Sequence, residues 1–365
     1  MKLTIDPKVF AEAVTWAARN LPGRPAVPVL SGLLLVAETD QLTVSAFDYD
    51  VSVQATVAAE VATPGRVVIP GRVLAEIVKS LPGESWAELV LDGYEVALTC
   101  GRVAFTLMTL PESDYPTIPA PPAPLGAVDG PAFRVAIEQT AIAASEDDTV
   151  PGLTAVRIDA EGDRLTLAAT DRYRIAVRDL PWSLRGMPPG GVLVHHDVVL
   201  DLAKGGISGE VALGWDDKLI GFCADGRVVT ARLIDDKYIN YRARIGWDHL
   251  PIAATVNRAA LTTAIKRVSL LADKGMSVRL HFTSDGVLVQ AGTGDLGRGT
   301  ETVPCTLDGA DAREIGFSPA FLLDAVGGVQ QENVVLHMDP DHLQVLVRGQ
   351  DSDSYQCLVL ALRLA

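Results

Sequence analysis

The sequence has no long uninterrupted apolar run, and only 5% of its 365 residues are aromatic. The longest apolar runs, such as residues 29–37, are broken by Ser31 and Gly32 and are far shorter than the roughly 20 residues of a membrane helix. The first residues, MKLTIDPKVF, carry a lysine but no apolar signal core, so no export signal is predicted. A cytoplasmic protein that does not engage a membrane is therefore expected.

Cysteine is scarce and unpaired in the sequence. Cys100, Cys223, Cys305 and Cys357 are far apart and form no C-x-x-C pair, which argues against a zinc ribbon or a redox dithiol. Their neighbours resemble strand residues, so we interpret all four as small core hydrophobes.

Basic residues are also in deficit, because 31 Lys and Arg against 46 Asp and Glu give a formal net charge of −15. Duplex affinity comes chiefly from Lys and Arg that neutralise phosphates, so this balance argues against a nucleic-acid partner if the charge is evenly spread. A protein with a basic inner face and an acidic exterior could still bind nucleic acid despite its negative net charge.

Catalytic motifs are missing as well. The sequence contains no Gly-x-Ser-x-Gly elbow, P-loop or His-Glu-x-x-His pattern. Residues 292–297 match G-x-G-x-x-G, but the following RGTETVPC is strand-like and runs into proline instead of opening a helix. We therefore predict a hairpin loop there and no dinucleotide cofactor.

Two histidine-containing clusters hold the residue types of a metal site. The clusters are residues 195–197 (HHD) and 337–342 (HMDPDH), and we interpret both as structural, at a helix start and at a turn between strands. The expected protein is not an enzyme and holds no metal. The alternative is a metal-dependent nucleic-acid enzyme that uses Asp147 and Asp148 or the 195–197 cluster.

A threefold repeat dominates what the sequence does contain. Residues 30–43 align with 153–166 and then with 275–288, so that Leu34, Arg157 and Arg279 correspond. The offsets are 157 − 34 = 123 and 279 − 157 = 122 residues, each about one third of the chain. Three tandem domains are predicted, each large enough for its own core.

Each repeat is predicted to contain two helices and several strand pairs, which is an α+β domain with sheet on one side and helices on the other. Asp6 and Asn257 are predicted N-caps of the first helices of the first and third repeats. The remaining predicted helices span residues 133–144, 72–81, 196–203 and 318–326. Proline-rich residues 116–131 and the segment 245–251 are predicted linkers, which gives domains at 1–118, 128–247 and 252–365.

Several motifs at these positions resemble one family. They are MKLTI at the start, GRPAVPVL (23–30), TLMTLP (106–111) before DYP (114–116), ATDRYRIAV (169–177), EIGF (314–317) and LRL (362–364). Together they resemble the bacterial DNA polymerase III beta subunit, the sliding clamp, over the whole chain. The resemblance implies a head-to-tail homodimer, a six-domain ring with outer antiparallel sheets and two inner helices per domain around duplex DNA.

The resemblance also implies contact residues. Arg24 matches a DNA-contacting position, and further candidate charges on the inner helices are Arg72, Lys79, Lys266 and Arg267. For each, a solvated helix face is the alternative, and duplex contact is expected to be weak and salt-sensitive. The dimer seam would use Leu107 on one side and Leu270 with Leu271 on the other, with core packing as the competing explanation.

In the resembled family, the polymerase III alpha subunit, the clamp loader and other clamp-binding-motif proteins insert a short hydrophobic peptide between domains two and three. An apolar wall with a few arginines suits Leu or Phe anchors beside acidic groups. The residues carried over to this pocket are Leu153, Thr170, Arg172, Tyr173, Arg174, Ile175, Ile239, Arg244, Leu358, Val359, Leu360, Ala361, Leu362 and Arg363.

Two positions depart from the family pattern inside that pocket. Relatives usually read Phe-Pro-x-Tyr at residues 238–241 and Met-Pro-x-Arg-Leu at 360–364, whereas this chain has Ile239 and Ala361. Proline fixes φ and removes a donor, so both changes alter the backbone as well as the surface. Neutral drift is one interpretation. The other is a specialised second clamp copy whose pocket rejects a cyclic-peptide antibiotic directed at the clamp.

Overall fold

A computed structural model describes residues 1–25, 27–245, 250–271, 277–292 and 297–362 of the chain. No helix within these ranges has the length and apolar character needed to cross a membrane.

The described part of the chain contains two α-helices in each repeat, as predicted. They are α1 (Pro7–Ala18), α2 (Gly71–Lys79), α3 (Gly130–Ala141), α4 (His196–Lys204), α5 (Arg258–Val268) and α6 (Pro319–Gly328). Short 3-10 helices span Pro28–Ser31, Glu112–Asp114, Pro151–Leu153 and Ser269–Leu271.

Nine strands in the described residues accompany each helix pair. The first repeat has β1 (Lys2–Ile5), β2 (Gly32–Glu38), β3 (Gln41–Phe47), β4 (Val51–Ala58), β5 (Glu60–Thr63), β6 (Gly65–Pro70), β7 (Ala87–Asp92), β8 (Glu95–Cys100) and β9 (Val103–Met108). The second has β10 (Gly126–Asp129), β11 (Ala155–Glu161), β12 (Arg164–Thr170), β13 (Arg174–Pro181), β14 (Ser183–Leu184), β15 (Val192–His195), β16 (Glu210–Trp215), β17 (Leu219–Ala224) and β18 (Arg227–Arg232). The third has β19 (Ile252–Asn257), β20 (Val278–Thr283), β21 (Gly286–Ala291), β22 (Gly299–Val303), β23 (Cys305–Asp308), β24 (Ala312–Phe317), β25 (Asn333–Met338), β26 (Gln344–Gly349) and β27 (Ser352–Leu360).

The predicted helix caps are present at the starts of α1 and α5. The carboxylate of Asp6 accepts hydrogen bonds from the N–H groups of Lys8 at 2.8 Å and Val9 at 3.1 Å. The side chain of Asn257 accepts from the N–H of Ala260 at 3.0 Å. Each bond satisfies an N–H that the helix itself leaves unpaired, which stabilises the helix by about 1 kcal/mol.

The second helix of the third repeat begins without a side-chain cap. Ser318 precedes Pro319 in the extended conformation of a cap, but its side chain makes no capping hydrogen bond. Gly327 and Gly328 are the last residues of α6. Proline at the first helical position is sufficient to start this helix because its φ is already helical.

The first compact unit contains Met1–Pro131, Ser183–Pro189 and Lys204–Leu233. Its five-stranded antiparallel sheet has the order β5-β1-β7-β8-β9, and its nine-stranded sheet has the order β14-β10-β16-β17-β18-β4-β3-β2-β6. In the larger sheet, β18 of the second repeat pairs with β4 of the first, with Thr230 opposite Ser52.

The second compact unit contains Ala132–Trp182, Gly190–Ala203 and Ile234–Ala365. Its nine-stranded antiparallel sheet has the order β15-β11-β12-β13-β27-β26-β25-β19-β23, and its four-stranded sheet has the order β22-β21-β20-β24. Here β13 of the second repeat pairs with β27 of the third, with Ile175 opposite Leu358.

These two cross-repeat pairs join the sheets of neighbouring repeats. Strands hydrogen-bond across both repeat boundaries, so the second repeat contributes five strands to the nine-stranded sheet of the first unit and four strands to that of the second. The repeated α+β architecture itself is confirmed. The domain limits at residues 118, 128, 247 and 252 stay a prediction, and part of the second linker, residues 246–249, lies outside the described residues.

Candidate functional site

The pairing of β13 with β27 brings together two of the segments that the sequence assigned to a pocket. Arg174 lies opposite Val359 in this pair, and β12, which ends at Thr170, flanks β13 on its other side. The N–H of Leu360 donates to the carbonyl of Tyr173 at 2.8 Å, which extends the pairing past the end of β13. Residues 170–175 and 358–362 therefore form one continuous surface of the second unit.

Beneath this surface lies an apolar cluster. Ile175 and Leu358 are buried in it, and Tyr238 and Ile245 pack against it as partly buried neighbours. The other buried members are Ala168, Val177, Tyr241, Leu250 and Leu346. Ile175 and Leu358 thus form the base of the candidate site, not its exposed wall.

Four apolar side chains of the predicted pocket remain exposed to solvent. Their exposed fractions are 60% for Tyr173, 39% for Ile239, 38% for Leu360 and 41% for Leu362. Since neighbouring strand residues point to opposite faces, the intervening Val359 and Ala361 are buried. A ligand that covered the exposed four would gain roughly 25 cal/mol for each Å² of apolar surface removed from water.

A cavity of about 560 Å³ adjoins these side chains. That volume lies within the roughly 300–1,000 Å³ typical of small-ligand pockets. Its lining residues are Ile239, Asn240, Ala243, Arg244 and Gln344. Gln344 lies opposite Leu360 in the pairing of β26 with β27, which places the cavity next to the exposed end of β27.

The sequence predicted Ile239 and Arg244 at this site but missed Asn240, Ala243 and Gln344. Asn240 and Ala243 belong to the same turn as the predicted pair, with the N–H of Ala243 donating to the Asn240 side chain at 3.2 Å. The turn could have been found by its asparagine. Gln344 could not, because its place depends on the register of β26 against β27.

Ile239 is held between two anchored tyrosines. The Tyr238 hydroxyl donates to the carbonyl of Ala168 at 3.1 Å, and the Tyr241 hydroxyl donates to the carboxylate of Asp159 at 2.8 Å. Burial, as the largest cause, raises the pKa of both tyrosines above the usual value, so both remain hydrogen-bond donors at neutral pH. The two anchors fix the backbone on either side of Ile239.

A tight turn presents Tyr173. The Thr170 hydroxyl donates to the carbonyl of Arg174 at 2.7 Å, and the carboxylate of Asp171 accepts from the N–H groups of Tyr173 and Arg174, both at 3.0 Å. Arg172 occupies the left-handed region at φ +78°. That conformation is unfavourable for a residue with a Cβ, so the hydrogen bonds around it must hold the turn.

Arg174 is buried beneath the turn and does not form an exposed wall. Its guanidinium donates to Asp171 at 2.9 Å, to Asp324 of α6 at 2.6 Å and to the carbonyl of Ile142, and it lies 4.5 Å from the ring centroid of Phe321. Burial opposes its charge, but the bonds to both carboxylates outweigh burial and raise its pKa. Arg174 therefore positions the turn that carries Tyr173.

The two remaining predicted pocket residues are Leu153 and Arg363. Leu153 is partly buried at the end of the 3-10 helix Pro151–Leu153, just before β11, and its carbonyl accepts from the N–H of Ser145 at 2.8 Å. Arg363, with the Leu364 and Ala365 that follow it, lies outside the described residues.

Comparison with known proteins assigns the whole repeat to one family. Residues 1–119 match the N-terminal domain of the DNA polymerase III beta subunit, residues 127–240 its central domain and residues 250–363 its C-terminal domain. The chain belongs to the DNA polymerase III beta subunit family. Its function is that of a DNA sliding clamp.

Individual relatives agree with this assignment. The chain is 39% identical to the beta sliding clamp of Streptomyces coelicolor over 100% of both chains. It is 36% identical to GriR, a beta sliding clamp homolog of Streptomyces muensis, over 96% of this chain and 95% of that one. Among solved structures, the sliding clamp of Pseudomonas aeruginosa bound to griselimycin matches with a TM-score of 0.94 at 27% identity, covering 100% of both chains.

The candidate DNA-contacting charges of this clamp are all exposed, but two are engaged by carboxylates. Lys79 pairs with Glu76 at 2.7 Å, and Arg267 bonds both carboxylate oxygens of Glu301 at 2.6 Å. Arg72 donates to the carbonyl of Pro22 at 3.4 Å. Arg24 and Lys266 face no carboxylate among the residues that the structure describes. The electrostatic attraction of these five basic residues for phosphates is therefore weaker than their number alone suggests.

The candidate seam residues lie at surface positions. Leu107 is partly buried in β9, the edge strand of the five-stranded sheet. Leu270 is 83% exposed in the 3-10 helix Ser269–Leu271, and Leu271 is partly buried. Packing in the core of one chain does not account for Leu270.

The glycine motif at 292–297 and the histidine cluster at 337–342 both have structural explanations. The glycine motif at 292–297 links β21 to β22, which are antiparallel partners, so no helix follows it; residues 293–296 lie outside the described part. In the 337–342 cluster, the buried His337 accepts from Arg348 at 2.9 Å while His342 pairs with Asp339. That cluster is therefore divided between two local roles.

Proposed function

We propose that two copies of this chain close head to tail into a ring of six clamp domains around duplex DNA, with domains at 1–118, 128–247 and 252–365. The ring tethers the polymerase III alpha subunit, the clamp loader and other clamp-binding-motif proteins to DNA, in the cytoplasm and without catalysis. A cyclic interface closes when every unit turns the chain by the same angle, so the threefold repeat supports this arrangement.

The observation that supports the tethering role most directly is the exposed apolar surface beside the cavity. Tyr173, Leu360 and Leu362 stand over a buried apolar base, and Ile239 and Arg244 line the adjoining cavity. Apolar anchors fill such a surface, while the arginine offers a charged hydrogen bond to an acidic or polar neighbour. A short peptide with Leu and Phe beside an acidic residue has the matching chemistry.

The test is the affinity of such a peptide, labelled with a fluorophore, for the full chain. Leu360→Asp and Ile239→Asp each place a charge on the proposed contact surface, so we expect at least a tenfold weaker binding. Met187→Asp is the matched control, because Met187 is an exposed apolar residue at 90% exposure outside this surface. Equal affinity of the wild type and the two contact variants would contradict the pocket.

Contact with duplex DNA is proposed to be weak, through Arg24, Arg72, Lys79, Lys266 and Arg267. The partners of Lys79 and Arg267 compete with phosphates for their charge. Each neutralised phosphate contributes about −0.9 to the slope of log affinity against log salt, so we expect a slope of about −3 on open linear duplex. Tight binding to open linear duplex that does not respond to salt would contradict the proposed weak contact.

A nuclease assay with and without a divalent metal tests the proposed absence of catalysis. The rival function, a metal-dependent nucleic-acid enzyme using Asp147 and Asp148 or the 195–197 cluster, would degrade labelled duplex or single strands when a divalent metal is added. We expect no product with or without metal. Cleavage that disappears in Asp148→Asn would contradict the proposed absence of catalysis.

A second candidate role is that of a specialised clamp copy that resists a clamp-directed cyclic peptide. Two observations favour it: Ile239 and Ala361 replace the family prolines, and the relatives include GriR and a Pseudomonas clamp bound to griselimycin. Ile239 lines the cavity directly, whereas the buried Ala361 acts through the backbone. Specificity of this kind needs only a clash or a lost contact with one ligand.

Griselimycin affinity, measured in wild type, Ile239→Pro and Ala361→Pro, tests this role. If the substitutions exclude the inhibitor, restoring the prolines strengthens its binding by at least tenfold while the affinity for the partner peptide changes little. Unchanged inhibitor affinity in both variants leaves neutral drift as the explanation of the two replacements.

A further inference from the structure

A group of potential metal ligands lies where β15 runs into α4, in the second unit. His195, His196 and Asp197 each offer one ligand atom, and these atoms lie within 4.8 Å of one another. None of the three belongs to the candidate pocket, the seam or the proposed DNA contacts. The sequence interpretation of these residues was structural, with a metal-dependent nucleic-acid enzyme as the alternative.

The tautomer of His196 is set from outside the cluster. Its Nδ1 lies 2.9 Å from the carbonyl oxygen of Thr154, which can only accept, so Nδ1 carries the proton and donates. The other ring nitrogen, Nε2, faces Asp197 Oδ1 at 3.4 Å. A histidine whose second nitrogen donates to a backbone carbonyl is the usual arrangement of a metal ligand, because that bond orients the ring and raises its basicity.

His195 faces a carboxylate with each of its ring nitrogens. Nδ1 lies 3.7 Å from Asp197 Oδ2, and Nε2 lies 3.7 Å from Asp148 Oδ1. Its ring stacks on that of His196 with centroids 4.7 Å apart. The stacking gathers two imidazoles on one side of the Asp197 carboxylate, and Asp148 of the preceding loop faces the opposite nitrogen of the His195 ring.

These separations are too long for direct hydrogen bonds but fit a shared ion. A histidine and a carboxylate that bond directly stand closer, as His342 Nδ1 and Asp339 Oδ1 do at 2.9 Å in this same chain. Zinc binds histidine nitrogen and carboxylate oxygen at about 2.0–2.2 Å, which separates two ligands of a tetrahedron by about 3.4 Å. The observed 3.4 and 3.7 Å are close to that spacing, and all the ligand atoms lie within 4.8 Å of one another.

We infer that His195, His196 and Asp197 bind a divalent transition-metal ion of the zinc class, with the Asp148 carboxylate as the outer partner of His195. Imidazole favours Zn²⁺, Ni²⁺ and Cu²⁺ over Mg²⁺ and Ca²⁺, and the Asp197 carboxylate supplies negative charge that a dication requires. The ion would lie at the start of α4, next to the loop that contains Asp148. This assignment uses groups of one unit alone and stands apart from the proposed ring and pocket.

The experiment is a titration of the tag-free full chain with Zn²⁺ in competition with a chromophoric chelator. One equivalent per chain is expected. His196→Gln and Asp197→Asn each remove a ligand, so the affinity should fall at least about tenfold. His342→Gln is the matched control, since it removes another surface histidine with an Asp partner, and it should leave the affinity unchanged.

Asp148→Asn distinguishes a loss of metal binding from a loss of folding. This side chain is 86% exposed, so its replacement leaves the fold intact while the affinity falls by several-fold. Co²⁺ in the same site should give the intense visible absorption of tetrahedral coordination, and this absorption should vanish in Asp197→Asn. The assignment is overturned if the folded Asp148→Asn and Asp197→Asn variants bind Zn²⁺ like the wild type, or if His342→Gln loses as much affinity as His196→Gln.

Discussion

The N–H of Ala361 donates a hydrogen bond to the carbonyl of Leu343 at 2.7 Å. A proline at this position, as relatives usually carry, has no N–H and cannot make the bond. Ala361 is buried, so a ligand does not meet its side chain directly. The departure at residue 361 therefore changes how the end of the chain attaches to the segment before β26, whereas the departure at Ile239 changes the cavity lining.

Ala361→Pro should destabilise the chain by about 1–3 kcal/mol, because the carbonyl of Leu343 loses its partner in a buried setting. Ala361→Ser keeps the N–H and should cost less than about 1 kcal/mol. Urea unfolding of both variants compares them. A proline variant as stable as the serine variant would show that this hydrogen bond contributes nothing measurable.

Leu270→Asp should convert the protein to monomers. The side chain is 83% exposed in one chain, and a carboxylate buried in an apolar seam would lack a partner. Size-exclusion chromatography with light scattering measures the mass, with Met187→Asp as the control. A dimer that survives Leu270→Asp over the accessible concentration range would place the seam elsewhere.

Arg172→Gly should be more stable than Arg172→Ala by about 1 kcal/mol. Both variants lose the same guanidinium, but only glycine adopts φ +78° without a steric penalty. Denaturant midpoints at equal m-values give the comparison. Equal midpoints would mean that the turn relaxes out of the left-handed region when the arginine is removed.

Arg174→Leu should lower the free energy of unfolding by about 3 kcal/mol. Its side chain is largely buried, and its loss leaves Asp171 Oδ2 and the Ile142 carbonyl without the guanidinium donor. Arg164→Leu is the control, because Arg164 pairs with Glu161 in solvent and such pairs contribute less than about 1 kcal/mol. Comparable losses in the two variants would contradict a structural role for Arg174.

Stability should fall as the pH drops from about 6.5 to about 4 through the protonation of His337. Burial and the neighbouring charge of Arg348 lower the pKa of this histidine to about 4, and its Nε2 accepts from Arg348 at 2.9 Å only while unprotonated. The unfolded chain therefore binds more protons in this window, so the histidine's contribution is complete above pH 6.5 and is lost on acidification.

His337→Gln keeps an acceptor that does not titrate, so it should flatten the pH dependence of the unfolding free energy between pH 6.5 and 4. The loss attributed to His337 is about 3 kcal/mol across that window. His342→Gln serves as the control and should keep the wild-type slope. A His337→Gln slope equal to that of the wild type would assign the acid sensitivity to other groups.

Local features were predictable from the sequence because their causes are local. The caps at Asp6 and Asn257 depend on groups two or three residues away, and the strand rhythm depends on alternation within each strand. The family motifs along the chain identified the segments that meet at the candidate site. They did not distinguish the buried Ile175, Arg174 and Leu358 from the exposed Tyr173 and Leu360, because a residue's exposure depends on what packs against it.

By itself, the sequence determined three α+β repeats, two helices in each, and membership of the clamp family, since periodicity and capping are encoded over short stretches. Only the tertiary structure decided that sheets continue from one repeat into the next, that Asp324 reaches Arg174, and that Gln344 borders the cavity. These relationships join residues far apart in the chain. Strand register and burial set them, and no short pattern carries that information.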